Sequence, residues 1–184
     1  NWRDTKSVFA GGAETYVQAL ASRWVKDGHS VTLFTSNDGH LPIHGETDGV
    51  RIIRRGGFYA TYVIASLYYL VHFRGKFDVI VDSENGIPFF TPLYAKEPVY
   101  GLVHHIHQDV FRKSLVWPLS TFACFLEKNA MPWVYRNCHF MTVSDSSKRA
   151  MQALKITGKD IQVVNPGIDT DFLTPGEKAA VPTV

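Results

Sequence analysis

Three histidines, His104, His105 and His107, stand together in the segment VHHIHQD. The run VYGLVHH, Val99 to His105, reads as a strand, so the cluster lies at a strand's carboxyl end. Ligands of open α/β sheets bind at such ends. His104 and His105 point to opposite faces of an extended chain. With no cysteine partners and no HExxH spacing, no metal site is expected. For His104 two readings stay open: a functional imidazole facing the crevice, or a packing or capping side chain.

A second candidate is Gly11-Gly12, just ahead of a helical pattern. Free N–H groups and the positive dipole end favour an anion at a helix start, and glycine lets a phosphate approach closely. A plain tight turn is the other reading. GxGxxG is absent, which disfavours a nicotinamide cofactor. DSENGIPFF, Asp82 to Phe90, follows another strand. Asp82 and Glu84 there form a carboxylate pair whose spacing alone does not establish acid–base chemistry, and Asn85-Gly86 reads first as a turn. NPGID, Asn165 to Asp169, is a further strand-end loop. Ser144-Asp145 lacks a surrounding GxSxG, and Ser144 reads as a helix cap.

The elements that must position these residues alternate. Ala13, Val17, Leu20, Ala21 and Trp24 mark one helix face, and Asp27-Gly28 ends it. SVTLFTS and VRIIRR read as strands across a Gly- and Asp-containing loop. FDVIVDS, Phe77 to Ser83, is a strand buried on both faces. A short helix is expected after Pro88. Residues 114–136 read as helical, with Pro118 near the start and Pro132 kinking or splitting the run. HFMTVS is a strand, Asp145 to Leu154 a helix, and IQVVN the last strand. This order predicts an open, doubly wound, Rossmann-like parallel sheet with helices on both faces. Its domain is expected to span residues 1–172, with 173–184 a linker. NWRDTKSVF is too polar to be the strand that should precede the glycine turn, so truncation just after that first strand is expected.

The 184 residues carry 19 basic and 17 acidic side chains, a net charge of +2, which gives no electrostatic case for a nucleic-acid partner. Cys124 and Cys138, without CxxC spacing, suggest reduced, buried thiols and a cytoplasmic setting. FYATYVIASLYYLVHF, Phe58 to Phe73, has 16 residues, short of the roughly 20 that a span needs. It reads as a buried helix. An interfacial helix flanked by Arg54, Arg55, Arg74 and Lys76 is the alternative, which would set the protein peripherally at the inner face of a membrane with an anionic surface as partner.

In order, AGGAETYVQALASRWVKDGHSVTLFTS, FDVIVDSENGIPFFTPLY, VHHIHQD, FMTVSDSSKRAM and VVNPGIDTDFLTP resemble the N-terminal, acceptor-side half of a GT-B fold glycosyltransferase of family 4. The resemblance implies a retaining, hexosyltransferase-like enzyme that moves a sugar from a nucleotide-sugar donor to a glycan or lipid-linked acceptor without a metal or other cofactor. Gly11 and Gly12 would approach the donor diphosphate, and His104 would lie near the transferred sugar. Glu14, Glu84, Asn85, His105, Ser144, Asn165 and Asp169 are candidates for the cleft or acceptor site. The paired-glutamate motif of the donor half does not follow Asp169, so residues 1–184 alone are expected to be inactive. A nucleotide-sugar epimerase of the same fold and a non-catalytic acceptor-binding module are the alternatives.

Overall fold

A computed structural model describes residues 1–168 together with Thr170 and Gly176. Asp169 and the expected linker, Gly176 apart, lie outside the described residues. Helix α1 spans Gly12–Lys26 and is followed by β1 (Thr32–Thr35), β2 (His44–Thr47) and β3 (Val50–Arg54). Next come α2 (Thr61–Tyr68), β4 (Ile80–Glu84), β5 (Val99–Val103) and α3 (Gln108–Ser114). The chain continues through α4 (Leu119–Phe125), α5 (Met131–Tyr135), β6 (His139–Thr142), α6 (Asp145–Ala153) and β7 (Ile161–Val163). The short helix expected after Pro88 is a 3₁₀ turn at Thr91–Leu93.

Strands β4, β5, β6 and β7 form one all-parallel sheet in that order. Helices cover the carboxyl-end halves of β4 and β5, which are buried. Ile80 and Val81 are half-buried and Val79 and Tyr100 exposed, so FDVIVDS is not buried throughout as expected, because β4 is an edge strand. Val103, Met131, Tyr135, Phe140, Met151, Ile156 and Ile161 make the core of this sheet. A second sheet has the order β1-β3-β2. Here β3 is parallel to β1 and antiparallel to β2. Strand β2 was not expected. HGET is polar and alternates exposed with half-buried positions, so it carries no apolar signal. Its hairpin signal is Asp48-Gly49, with φ of +52° and +77°, the two-residue turn that suits a hairpin. A Cβ on Gly49 would lie 2.7 Å from Val25 Cγ1, so the hairpin also depends on that glycine to close against α1.

The strands thus form two sheets with a gap between them, at the place where a first, central strand is expected to be missing. The free edges of β1 and β4 border a cavity of about 160 Å³, whose walls include Leu33, Phe34, Val81, Tyr69 and Phe89. Asn1 lies at its rim. Its backbone nitrogen is 3.4 Å from Phe34 O, and its Oδ1 accepts a bond from Ser83 Oγ at 3.2 Å.

Three other expectations change. Arg54 is not a surface charge: it is buried, with Nε 2.6 Å from Asp4 Oδ2 and a further bond to Pro42 O at 3.1 Å. The helix around Tyr62–Phe73, which ends in a π turn over Tyr69–Phe73, is not buried throughout, since Val63, Leu67, Leu70 and Val71 are exposed. The helical stretch begins at Gln108 rather than residue 114 and breaks before Pro118. Pro132 does not split the later part. A π turn at Leu126–Ala130 carries α4 into α5, which accommodates a residue that lacks an N–H and crowds the preceding turn. Among the described residues, no helix is long and apolar enough to cross a membrane. Cys124 and Cys138 are free and half-buried.

Unpaired backbone groups along two buried strand edges each cost about 1–3 kcal/mol. An extension of about six Val, Ile or Leu residues ahead of Asn1, a usual strand length, is expected to pair with both edges and raise the Tm. An unchanged Tm in thermal denaturation would show that these edges are already satisfied.

Candidate functional site

The site is built around the head of α1. Gly11 is the extended N-cap residue and Gly12 the first helical one. Thr15 N makes the first helical bond, to Gly11 O at 3.1 Å, so the N–H groups of Gly12, Ala13 and Glu14 precede the ladder. The Glu14 carboxylate folds back on its own helix start, where a negative charge is favoured. Its Oε2 accepts from Gly11 N at 2.8 Å, and its Oε1 accepts from Asn85 Nδ2 at 3.1 Å with Arg3 Nε 3.5 Å away. A Cβ on Gly12 would meet nothing within 4 Å. No described residue therefore fills the space in front of this glycine.

His104 follows the last residue of β5. Its ring meets Tyr16 edge-on at 5.6 Å, and Tyr16 Oη donates to Val164 O at 3.1 Å. Burial pulls the imidazole down to about 4, so it is neutral at pH 7. Its Nε2 is buried and, among the described residues, without a hydrogen-bond partner. An unsatisfied polar atom of this kind is costly unless something else meets it. His105 is exposed, with its ring 3.9 Å from that of His107.

His107 turns inward. Its backbone N donates to Glu127 Oε1 at 2.6 Å, and its Nε2 lies 3.4 Å from Asn85 Oδ1. Burial lowers His107 to about 3 and raises Glu127 to about 7. The two are therefore not a fixed ion pair, although Nδ1 and Oε1 are 3.8 Å apart. Glu84 is buried and its Oε1 has no partner. Burial, then the charges of Asp82 and Glu127, push its carboxyl well above the usual range. Asp82 is committed to packing: its Oδ2 accepts from Tyr135 Oη at 2.5 Å and from the Thr91 hydroxyl.

The structure thus brings Gly11, Glu14, Asn85 and His104 to one end of the sheets, together with His107 and Glu127. Ser144 has a structural task. Its Oγ accepts from Ser147 N at 3.2 Å as the α6 cap, and Ser147 Oγ donates to His104 O at 2.9 Å. Asn165 Nδ2 donates to Val143 O at 3.1 Å, which holds its loop to the end of β6. Asp169 falls outside the described residues. Sequence reasoning missed Glu127 and Tyr16. Glu127 had a signal, being the one acid on a face otherwise marked by Ala123, Met131 and Tyr135 at four-residue steps. Among the described residues, no three His, Cys, Asp or Glu side chains gather as a metal ion would need.

The depressed His104 gives a pH test. Between about 4 and its ordinary 6.5, the unfolded chain binds this proton and the folded chain does not. His104 therefore subtracts stability as pH falls through that window. His104→Gln removes this contribution. The variant's Tm relative to the parent is expected to rise steadily between pH 7 and pH 4, whereas a pH-independent difference would contradict the buried, neutral imidazole.

No curated protein matches the chain. The description of the family Glycosyltransferase Family 4 matches residues 10–172, which takes in the glycine loop, every strand and the histidine cluster. With that match over most of its length and a Rossmann-like α/β fold, the chain belongs to glycosyltransferase family 4 and is a glycosyltransferase-type domain.

Proposed function

We propose that this domain works in a retaining transfer of a sugar from a nucleotide-sugar donor to a glycan or lipid-linked acceptor. The observation that carries the proposal is the open space in front of Gly12, at a helix start whose next turn supports the buried, unpartnered His104. In the reaction, the bond from the sugar's anomeric carbon to the diphosphate oxygen breaks. A new bond forms to an acceptor hydroxyl oxygen, which gives up its proton. Negative charge grows on the departing diphosphate. The N–H groups and dipole of α1 are preorganised to receive it, so the proposal assigns this task to the helix start rather than to a metal.

His104 is the residue assigned to the sugar. As a neutral imidazole it exchanges hydrogen bonds with hydroxyls without adding a positive charge. Glu14 and Asn85 are positioning residues, because Glu14 accepts from Gly11 N and Asn85 in turn donates to Glu14. The nucleotide itself is assigned to a second domain, and residues 1–184 alone are expected to turn over no donor.

The test uses residues 1–172 joined to the nucleotide-sugar-binding half of a family 4 enzyme. Gly12→Val is expected to lower kcat on the order of 100-fold, as loss of an anion-stabilising contact does, with the Tm within a few degrees because the added side chain meets open space. Normal kinetics in the variant would remove the diphosphate from this loop. Conversion of the donor without any acceptor would point instead to epimerisation.

A further inference from the structure

We propose that the outer face of α3 to α5 docks on an anionic lipid bilayer. The helical run from Leu119 to Tyr135 is turned inside out relative to an ordinary surface helix. Its inward side carries Ala123, Glu127, Met131 and Tyr135. Its outward side carries Phe122, Phe125 and Trp133, the last 67% exposed. The turn before it adds Val116 and Trp117, which is 81% exposed, and Leu119. Large apolar side chains gathered on one face mark an interaction surface in a folded domain.

Charge decides the partner. Residues 108–136 contain Arg112, Lys113, Lys128 and Arg136 against Asp109 and Glu127, an excess of two positive charges that equals the formal net charge of the whole chain. Glu127 faces inward and is largely neutralised by burial. Asp109 is the one exposed acid, 3.8 Å from Arg112. A second copy docking by the same face would set these basic side chains against their own equivalents. Anionic headgroups complement them, while the exposed Trp117 and Trp133 suit the boundary between headgroups and acyl chains.

This surface is not the one expected from sequence. The α2 face also exposes apolar side chains and has exposed Arg74 and Lys76 beside it. However, Arg54 is locked to Asp4, the Arg55 guanidinium sits 5.4 Å over the Tyr68 ring, and α2 carries no tryptophan to seat at the headgroup boundary. The proposal does not depend on where the donor diphosphate binds.

Sedimentation of the 184-residue protein with phosphatidylcholine–phosphatidylglycerol vesicles, and with phosphatidylcholine alone, tests it. Binding is expected for the anionic vesicles only. Arg112→Ser and Lys113→Ser are each expected to weaken it about fivefold, and Trp117→Ser with Phe122→Ser to abolish it. All these side chains are exposed, so circular dichroism should show unchanged folding. Absence of binding by the parent overturns the proposal. So does binding lost with Leu67→Ser and Val71→Ser on α2 but kept in the Trp117 and Phe122 variant. A dimer in analytical ultracentrifugation that Trp117→Ser dissociates, without vesicle binding, assigns the face to a second copy and also overturns it.

Discussion

The buried Glu14 carboxylate is the interaction on which the rest of the site depends. The two sheets share no strand ladder among the described residues. Glu14 belongs to the helix that packs on the three-stranded sheet, and it bonds Asn85, which follows β4 of the other. Its second oxygen closes the turn at Gly11. One charged group thus fixes the glycine loop and joins it to the strand-end loop beside the histidines. Its place at a helix start offsets part of the cost of burying it, and Arg3 lies close enough to add to that.

Around this centre the polar groups are arranged in two layers. Asn85 passes the connection on to His107, and Glu127 fixes the His107 backbone from the side of α4 and α5. These groups hold one another in place, although Glu127 Oε2 has no partner among the described residues. His104 and Gly12 are left free: one has a buried nitrogen without a partner and the other faces open space. Front groups left free on a shell of mutually bonded side chains are preorganised for a ligand. Tyr16 links the layers, since its ring supports His104 while its hydroxyl holds the Val164 backbone.

Most of the fold was legible because the strands of a parallel sheet leave continuous apolar runs, as in FDVIVDS and VYGLV, although their amino ends are exposed at Val79 and Tyr100. Strand β2 was not, because HGET sits at a sheet edge and needs no apolar side chains. The division of the sheet followed from the polarity of NWRDTKSVF. In the site, Gly11-Gly12 and His104 were readable from their places at a helix start and a strand end. Glu14 to Asn85, and His107 to Glu127, were not, because each contact joins residues 20 or more apart whose proximity only the folded topology creates. The Asp4–Arg54 pair shows the same limit. A basic residue beside an aromatic helix reads as surface charge until its carboxylate, fifty positions away, is seen.

The central claim is that the head of α1 and His104 form one ligand-facing surface. The most direct measurement is the two-dimensional NMR spectrum of the isotope-labelled domain, joined to the unlabelled nucleotide-sugar-binding half of a family 4 enzyme and titrated with a nucleoside diphosphate sugar. Saturable shifts confined to the amides of Gly11, Gly12 and Ala13 and the ring of His104 are expected. Shifts that leave these groups unmoved while others respond, or no saturable shift at any donor concentration, would contradict it.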